Sequence, residues 1–272
     1  MPTQTEKGKT FRALHQRDRA FIIPNPWDVG SARLLQSLGF EALATTSSGF
    51  AFSIGKRDGF VDRDTMLAHA AALVNATDLP VSADLENGYA DQPVRVAETV
   101  RLAAGTGLAG CSIEDVPQGR GQGPYELPLA AERVRAAAEA ARALAVPFTL
   151  TARAENFIVG RPDLRDTIAR LQAFQEAGAD VLFAPGLKST QEIATVVQSV
   201  DRPINVIMGL QGVQLSLAEL SKLGVRRISV GSALARAALT AFLRAAREMR
   251  EQGTFEFAQE IVKYADLNAM FA

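Results

Sequence analysis

Eight short apolar runs alternate with stretches of helical periodicity along the chain, and that alternation leaves few folds open. The runs occupy residues 20–27, 41–50, 80–86, 110–115, 147–156, 180–187, 202–210 and 225–230. Between them, apolar residues recur at helical spacing, as in residues 29–39, where Gly39 stops the helix and Asp28 is placed to cap it. A strand that is apolar on both faces belongs in a parallel sheet covered by its crossover helices. With short linkers and no break in composition, the 272 residues predict a single α/β domain, 1–272, folded as a closed (β/α)8 TIM barrel. An open doubly wound sheet is the alternative. No GxGxxG follows the first run, which counts against a dinucleotide-binding fold.

In such a barrel the functional face lies at the C-terminal ends of the strands. Two runs end there in acids: ADLENGY carries Asp84 and Glu86, and SIED carries Glu114 and Asp115. Asp84 and Glu86 stand two apart, so an extended chain turns both the same way. Glu114 and Asp115 adjoin, so one faces the site and the other turns away. Carboxylates converging at strand ends are costly to keep ionised unless a cation sits among them. Oxygen ligands without Cys or His favour a hard ion among these acids, Mg²⁺ first and Mn²⁺ as the alternative. The bland alternative is that these acids cap helices and pair with nearby arginines.

Further residues fall at the same ends. In the second run, Thr45, Thr46, Ser47, Ser48 and Gly49 bring small hydroxyls and a glycine, which let backbone N–H groups approach an anion. Arg153 and Glu155 share a face in TARAEN, and an arginine there is suited to a bidentate grip on a carboxylate. Asn205 lies in the seventh run. The loop 116–126 holds Arg120 and Tyr125, expected to be exposed and able to reach over a ligand, with an ordinary flexible loop as the other reading. The leading segment 3–18 reads as a polar helix with His15 facing solvent; His69 lies mid-helix as a structural or exposed residue. Cys111, the single cysteine, sits within a strand as a small hydrophobe and excludes an internal disulfide.

Lys plus Arg total 29 against 30 Asp plus Glu, a balance that argues against a nucleic-acid surface. No apolar run reaches membrane-spanning length and the N-terminal segment has no signal-peptide core, so a cytoplasmic protein is expected. The last twenty residues keep Phe255, Phe257, Ile261 and Tyr264, apolar groups that call for a partner surface such as a second subunit.

TTSSG, ADLENGY, SIED, TARAEN and the seventh-run NV, in this order and spacing, resemble the isocitrate lyase and phosphoenolpyruvate mutase superfamily from about Phe21 onward. The resemblance implies a (β/α)8 barrel whose eighth helix is often exchanged between subunits of a homodimer or homotetramer. It implies a Mg²⁺-dependent lyase that breaks a C–C bond beside a carboxylate through an enolate-like intermediate. The substrate would be a small 2-oxo or 2-hydroxy carboxylate, handled as by an oxaloacetate decarboxylase or a 2-methylisocitrate lyase. Carried over, Asp84 resembles the metal ligand, with Glu86 and Glu114 completing the shell directly or through water. Glu86 stands where many members have Asp. Asp58 resembles the loop aspartate near the metal, and Ser47, Ser48 and Gly49 the segment that grips the substrate carboxylate. Arg153 resembles the arginine that pairs with substrate oxygens, and Asn205 a pocket-lining residue. Arg153, Asp58 and Glu114 are thus the implied catalytic groups. One segment departs: lyase members carry Lys-Lys-Cys-Gly-His or Lys-Arg-Cys-Gly-His after the fourth-strand acid, where this chain reads VPQGRGQGPYE. Oxaloacetate decarboxylation needs no such Cys. A phosphonomutase acting on a P–C bond, and a non-catalytic metabolite-binding barrel, are the other readings.

Overall fold

The computed structural model describes residues 1–118 and 123–271. Its centre is one eight-stranded parallel sheet in the order β1-β8-β7-β6-β5-β4-β3-β2. The strands are β1 (Phe21–Ile23), β2 (Leu43–Ala44), β3 (Val81–Asp84), β4 (Gly110–Glu114), β5 (Thr149–Arg153), β6 (Val181–Phe183), β7 (Ile204–Ile207) and β8 (Arg227–Ser229). The gap between β1 and β2 is bridged rather than laddered: the Ala44 N–H donates to the Pro24 carbonyl at 3.1 Å, and Asn25 Nδ2 to the Thr45 carbonyl at 2.9 Å. The expected (β/α)8 barrel is therefore what the chain forms.

Helices follow the strands as the periodicity predicts. Asp28 caps α2 (Val29–Ser37) by accepting from the Ser31 N–H at 2.6 Å, and Asp62 caps α4 (Arg63–Ala76). Between them, the second apolar run gives only a two-residue strand, because Thr46 caps a short helix, α3 (Ser47–Ser53), through the Gly49 N–H. Serine and threonine satisfy helix N-termini better than they extend a ladder. The remaining wall helices are α5 (Pro93–Gly105), α6 (Leu127–Arg142), α7 (Leu164–Ala177), α8 (Thr190–Gln198) and α9 (Leu217–Lys222). Cys111 is fully buried in β4.

The leading helix α1 (Gln4–His15) plugs the end of the barrel opposite the site. Phe11 and Leu14 pack on Phe21, Ile23, Ala42 and Ala109, residues at the N-terminal ends of strands and in β1. Gly8 permits the approach: a Cβ there would lie 2.2 Å from the Pro147 carbonyl oxygen. The solvent-facing placement expected for His15 is wrong, because the polar helix carries it into this plug. His15 stands edge-on to Phe11 and Phe21, at ring-centroid distances of 4.8 and 5.0 Å, with Nδ1–H donating to the Phe11 carbonyl.

His69 is likewise buried, stacked on Phe50 with ring centroids 3.7 Å apart. Burial holds both imidazoles neutral, depressing His15 from 6.5 to about 3 and His69 to about 4. The unfolded chain takes up protons near pH 6.5 that the folded chain refuses. Each histidine's contribution is therefore complete above pH 6.5 and is lost as pH falls towards the folded value, at up to about 1.4 kcal/mol per pH unit. Asp115 pulls the other way, since burial raises it to about 6. Replacement His69→Phe isolates the histidine's share. Between pH 7.5 and 5, the variant should lose roughly 2 kcal/mol less stability than the wild type. Urea unfolding at the two pH values measures this, and equal losses would contradict it.

After β8 the chain leaves the barrel wall. In α10 (Ala233–Gln252) only Ala235 is buried, while Phe242 and Leu243 are 65% and 47% exposed. The tail through α11 (Tyr264–Ala269) keeps Phe255, Ile261 and Tyr264 exposed. Among the described residues no helix is long and apolar enough to cross a membrane.

Candidate active site

Parallel register brings the acid-ended strands side by side. Asp84 ends β3, Glu114 ends β4 and Arg153 ends β5, with Glu114 directly opposite Arg153 in the ladder. Arg153 gathers three carboxylates: Nη1 lies 3.2 Å from Asp84 Oδ1 and 3.0 Å from Glu114 Oε1, and Nε 2.8 Å from Glu155 Oε1. Burial works against its charge, but Glu114, Glu155 and Asp84 outweigh that and push its pKa above the ordinary arginine value. The guanidinium also lies over the Phe183 ring at 4.9 Å.

Asp84 is fixed from the other side by α3. Ser47 Oγ donates to Asp84 Oδ2 at 3.0 Å and the Asp84 N–H donates to Thr45 Oγ1 at 2.9 Å. Ser47 Oγ also reaches Asp58 Oδ1 at 3.5 Å, joining the long loop to this centre. These groups border a cavity of about 260 Å³ whose lining includes Ser47, Ser48, Asp58, Asp84, Arg153 and Asn205. Asp58 also borders a neighbouring 80 Å³ recess together with Glu86 and Glu114.

Glu86 reaches the site by a different route from the one expected. The strand ends at Asp84, and Glu86 takes the left-handed conformation, φ 48°, rather than continuing extended. Its N–H turns back to Asp84 Oδ1 at 3.3 Å, and its carbonyl accepts from the Glu114 N–H at 2.8 Å. Positive φ is uncommon for a residue with a Cβ and tends to mark functional turns. Tyr89, φ 59°, repeats it three residues on. The Tyr89 phenol is pushed up first by burial and then by the negative charges of Glu86, Asp84 and Glu114.

Asp115 turns away from this centre. It accepts from the Glu155 N–H at 2.9 Å and from Arg170 Nη1 at 3.1 Å. Gly49 does not line the cavity; its N–H serves the Thr46 cap, and a Cβ there would lie 2.6 Å from Thr46 Cγ2. Asn205 is 1% exposed, donating to Ser229 Oγ at 3.0 Å and accepting from Arg227 Nε at 2.9 Å. Tyr125 does not reach over the pocket as expected. It is buried, its hydroxyl donates to Asp91 and accepts from Asn87, and Arg133 lies on its ring at 4.1 Å. Arg120 lies outside the described residues.

The donor set suits a hard cation, since every candidate ligand is a carboxylate or hydroxyl oxygen. Among the described residues, no group of three or more His, Cys, Asp or Glu is arranged to hold an ion directly. Were a divalent ion bound, Asp84 would be the acid that meets it at the cavity, with Asp58, Glu86 and Glu114 lining the adjoining recess.

The sequence profile described as phosphoenolpyruvate phosphomutase matches residues 11–250. The chain belongs to that family. It therefore sits within the isocitrate lyase and phosphoenolpyruvate mutase superfamily that its motifs resemble. Family relatives span nearly the whole chain. An uncharacterised protein of Mycobacterium tuberculosis is 34% identical over 267 residues, covering 96% of this chain and 95% of its own. A Burkholderia cenocepacia J2315 structure named "putative lyase/mutase" is 60% identical at TM-score 0.96, covering 99% of this chain and 96% of that one. The 2,3-dimethylmalate lyase structure, a superfamily member, is 29% identical at TM-score 0.87, covering 100% and 95%. The two structures are thus named as a lyase or mutase.

Arg227 and Arg236 also line the cavity. Sequence reading passed over both. The signal for Arg227 was a charged residue inside the apolar run VRRISV, where a side chain must point either to the barrel interior or to the helices.

Proposed function

We propose that this chain is a Mg²⁺-dependent carbon–carbon lyase acting on a small 2-oxo or 2-hydroxy carboxylate, with oxaloacetate decarboxylation as the reaction that fits best. The observation that carries this reading is Arg153, held by Asp84, Glu114 and Glu155 at the strand ends beside a hydroxyl-lined cavity. An oxaloacetate decarboxylase of Pseudomonas savastanoi, 27% identical over 250 residues, and a 2-methylisocitrate lyase of Halalkalibacterium halodurans, 26% over 259, lend support.

In oxaloacetate the C3–C4 bond breaks, CO₂ leaves, and the bonding pair moves into an enolate whose charge sits on the 2-oxygen. Carbon 3 then takes a proton from water to give pyruvate. A divalent cation beside Asp84, when bound, would stabilise that oxygen's developing charge. Arg153 adds a fixed positive charge whose orientation is set before substrate arrives, so little reorganisation is needed as charge shifts. Ser48 offers its hydroxyl proton to the substrate carboxylate, while Ser47, whose single hydroxyl proton goes to Asp84, holds that acid in place. Pyruvate release from oxaloacetate, 2-methylisocitrate and phosphonopyruvate, each with Mg²⁺ and with chelator, tests the reading. Chelator-sensitive turnover of oxaloacetate is the expected result, and turnover of none of the three would refute it.

A second reading, P–C bond chemistry, is favoured by one observation: a Burkholderia cenocepacia J2315 structure named "putative phosphonomutase" is 35% identical at TM-score 0.83. Turnover of phosphonopyruvate in the same panel would decide for it.

The assembly we propose is a homodimer or homotetramer in which α10 packs on a second copy. The exposed Leu239, Phe242, Leu243 and Met249 support this. Light scattering should give at least twice the 29.1 kDa chain mass, and Phe242→Asp with Leu243→Asp should shift it to the monomer. A wild-type mass of one chain would contradict the assembly.

A further inference from the structure

Among the described residues four arginines have their guanidinium groups wholly or largely buried, and three of them are provided for. Arg153 has three carboxylates. Arg170 has Asp115 and Asp166. Arg133 donates to the backbone carbonyls of Asn87, Ala90, Asp91 and Glu114 and lies on the Tyr125 ring.

Arg227, 5% exposed, is different. Its Nε donates to Asn205 Oδ1 at 2.9 Å, its Nη2 to Thr151 Oγ1 at 3.0 Å, and its Nη1 lies 3.5 Å from His15 Nε2. All three partners are neutral, His15 because its imidazole is held unprotonated at ordinary pH. Among the described residues no carboxylate pairs with Arg227. A guanidinium has five N–H groups, so two remain after these bonds. A buried charge without a counter-charge is expensive, and arginine does not escape by giving up its proton at neutral pH. Burial, and then the facing charge of Arg153, pull its pKa down to about 9, which reports the same uncompensated charge.

The cavity supplies a place for a counter-charge. It runs from the mouth, at Phe52, Leu210 and Arg236, to Ser82, Ser112 and Arg227 inside the barrel. Thr151 precedes Arg153 by two residues on β5, so the two guanidinium levels are roughly 7 Å apart along the strand direction.

We propose that the inner end of the cavity is a second anion site, centred on Arg227 with Asn205 and Thr151 orienting it, which takes one carboxylate-sized negative charge. Its occupant is either a free halide or the carboxylate of a ligand that reaches down from Arg153. The site stands apart from the lyase reading and holds whether or not oxaloacetate is turned over.

The test uses the full chain. Crystals grown in sodium bromide should show an anomalous bromide peak in hydrogen-bonding contact with the Arg227 guanidinium. A well-measured map with no peak there overturns the proposal. In solution, bromide should raise the melting temperature of the wild type at constant ionic strength, and Arg227→Gln should lose at least two thirds of that rise. A rise unchanged in the variant also overturns it. If the variant does not fold, the crystal result alone decides. Malonate distinguishes the sources. Bromide that weakens malonate binding in calorimetry identifies the site with a ligand carboxylate, and bromide without effect identifies a free-halide site.

Discussion

Replacing Asp84 by Asn should leave the barrel folded and lower metal-dependent turnover of oxaloacetate by roughly a hundred- to a thousand-fold, the scale seen when one preorganised oxyanion contact is lost, here the contact of the ion that Asp84 would hold. Asp84 is the acid on which the other groups converge. Ser47 donates to one of its oxygens, Arg153 and the Glu86 N–H to the other, and Thr45 fixes its backbone. The amide keeps the size of the side chain and one acceptor oxygen but removes the charge. Arg153 then retains Glu114 and Glu155, so no buried cation is stranded. The melting temperature should therefore move by only a few degrees, a shift of about 1 kcal/mol or less. Turnover assayed with Mg²⁺ and with chelator separates the effects. Activity within ten-fold of wild type would remove Asp84 from the chemistry.

Replacing Arg153 by Met should do the opposite to the fold. Glu155 and Glu114 are 0% and 3% exposed, and Asp84 adds a third negative charge on the same guanidinium. Removing one partner of a buried ion pair costs about 3–5 kcal/mol because the other is left uncompensated. Here three carboxylates would be left facing one another. Their folded-state pKa values should then rise through burial and mutual repulsion. A carboxylate whose folded pKa is raised binds its proton more readily in the native state, so lowering the pH should restore stability to the variant. Urea midpoints of wild type and variant should thus differ most at pH 7.5 and draw together by pH 5. A variant as stable as wild type at pH 7.5 would show that the cluster is not held by Arg153.

The strand ends were legible because a carboxylate closing an apolar run has few places to go. Asp84, Glu114 and Arg153 follow three or four buried strand residues each, and parallel pairing puts them in neighbouring positions. That Glu114 and Asp115 would part, one to the site and one away from it, was legible from strand alternation; which of the two faces the site was not. Features that depend on local competition or on distant packing were not. Thr46 diverts the second run into a helix, which shortens β2 and turns the Gly49 N–H to the cap rather than to the cavity. Glu86 enters by a left-handed turn that no extended-chain argument supplies. His15 sits on a polar helix, and only the barrel end it plugs makes it buried. Arg226 and Arg227 adjoin, so one had to face inward. Arg226 reaches the Asp18 carbonyl, while Arg227 turns into the barrel, and nothing in the pair itself says which.

On this reading Asp84 and its neighbours hold a hydrated divalent ion which, with Arg153 and Ser48, binds a 2-oxo carboxylate. Crystals of the full chain soaked in magnesium chloride and oxalate test it most directly. An octahedral ion should appear in contact with Asp84, its waters reaching Asp58, Glu86 and Glu114, and oxalate lying between the ion, Ser48 and Arg153. Oxalate bound elsewhere, or an ion absent beside Asp84 while occupied at other acids, would contradict it.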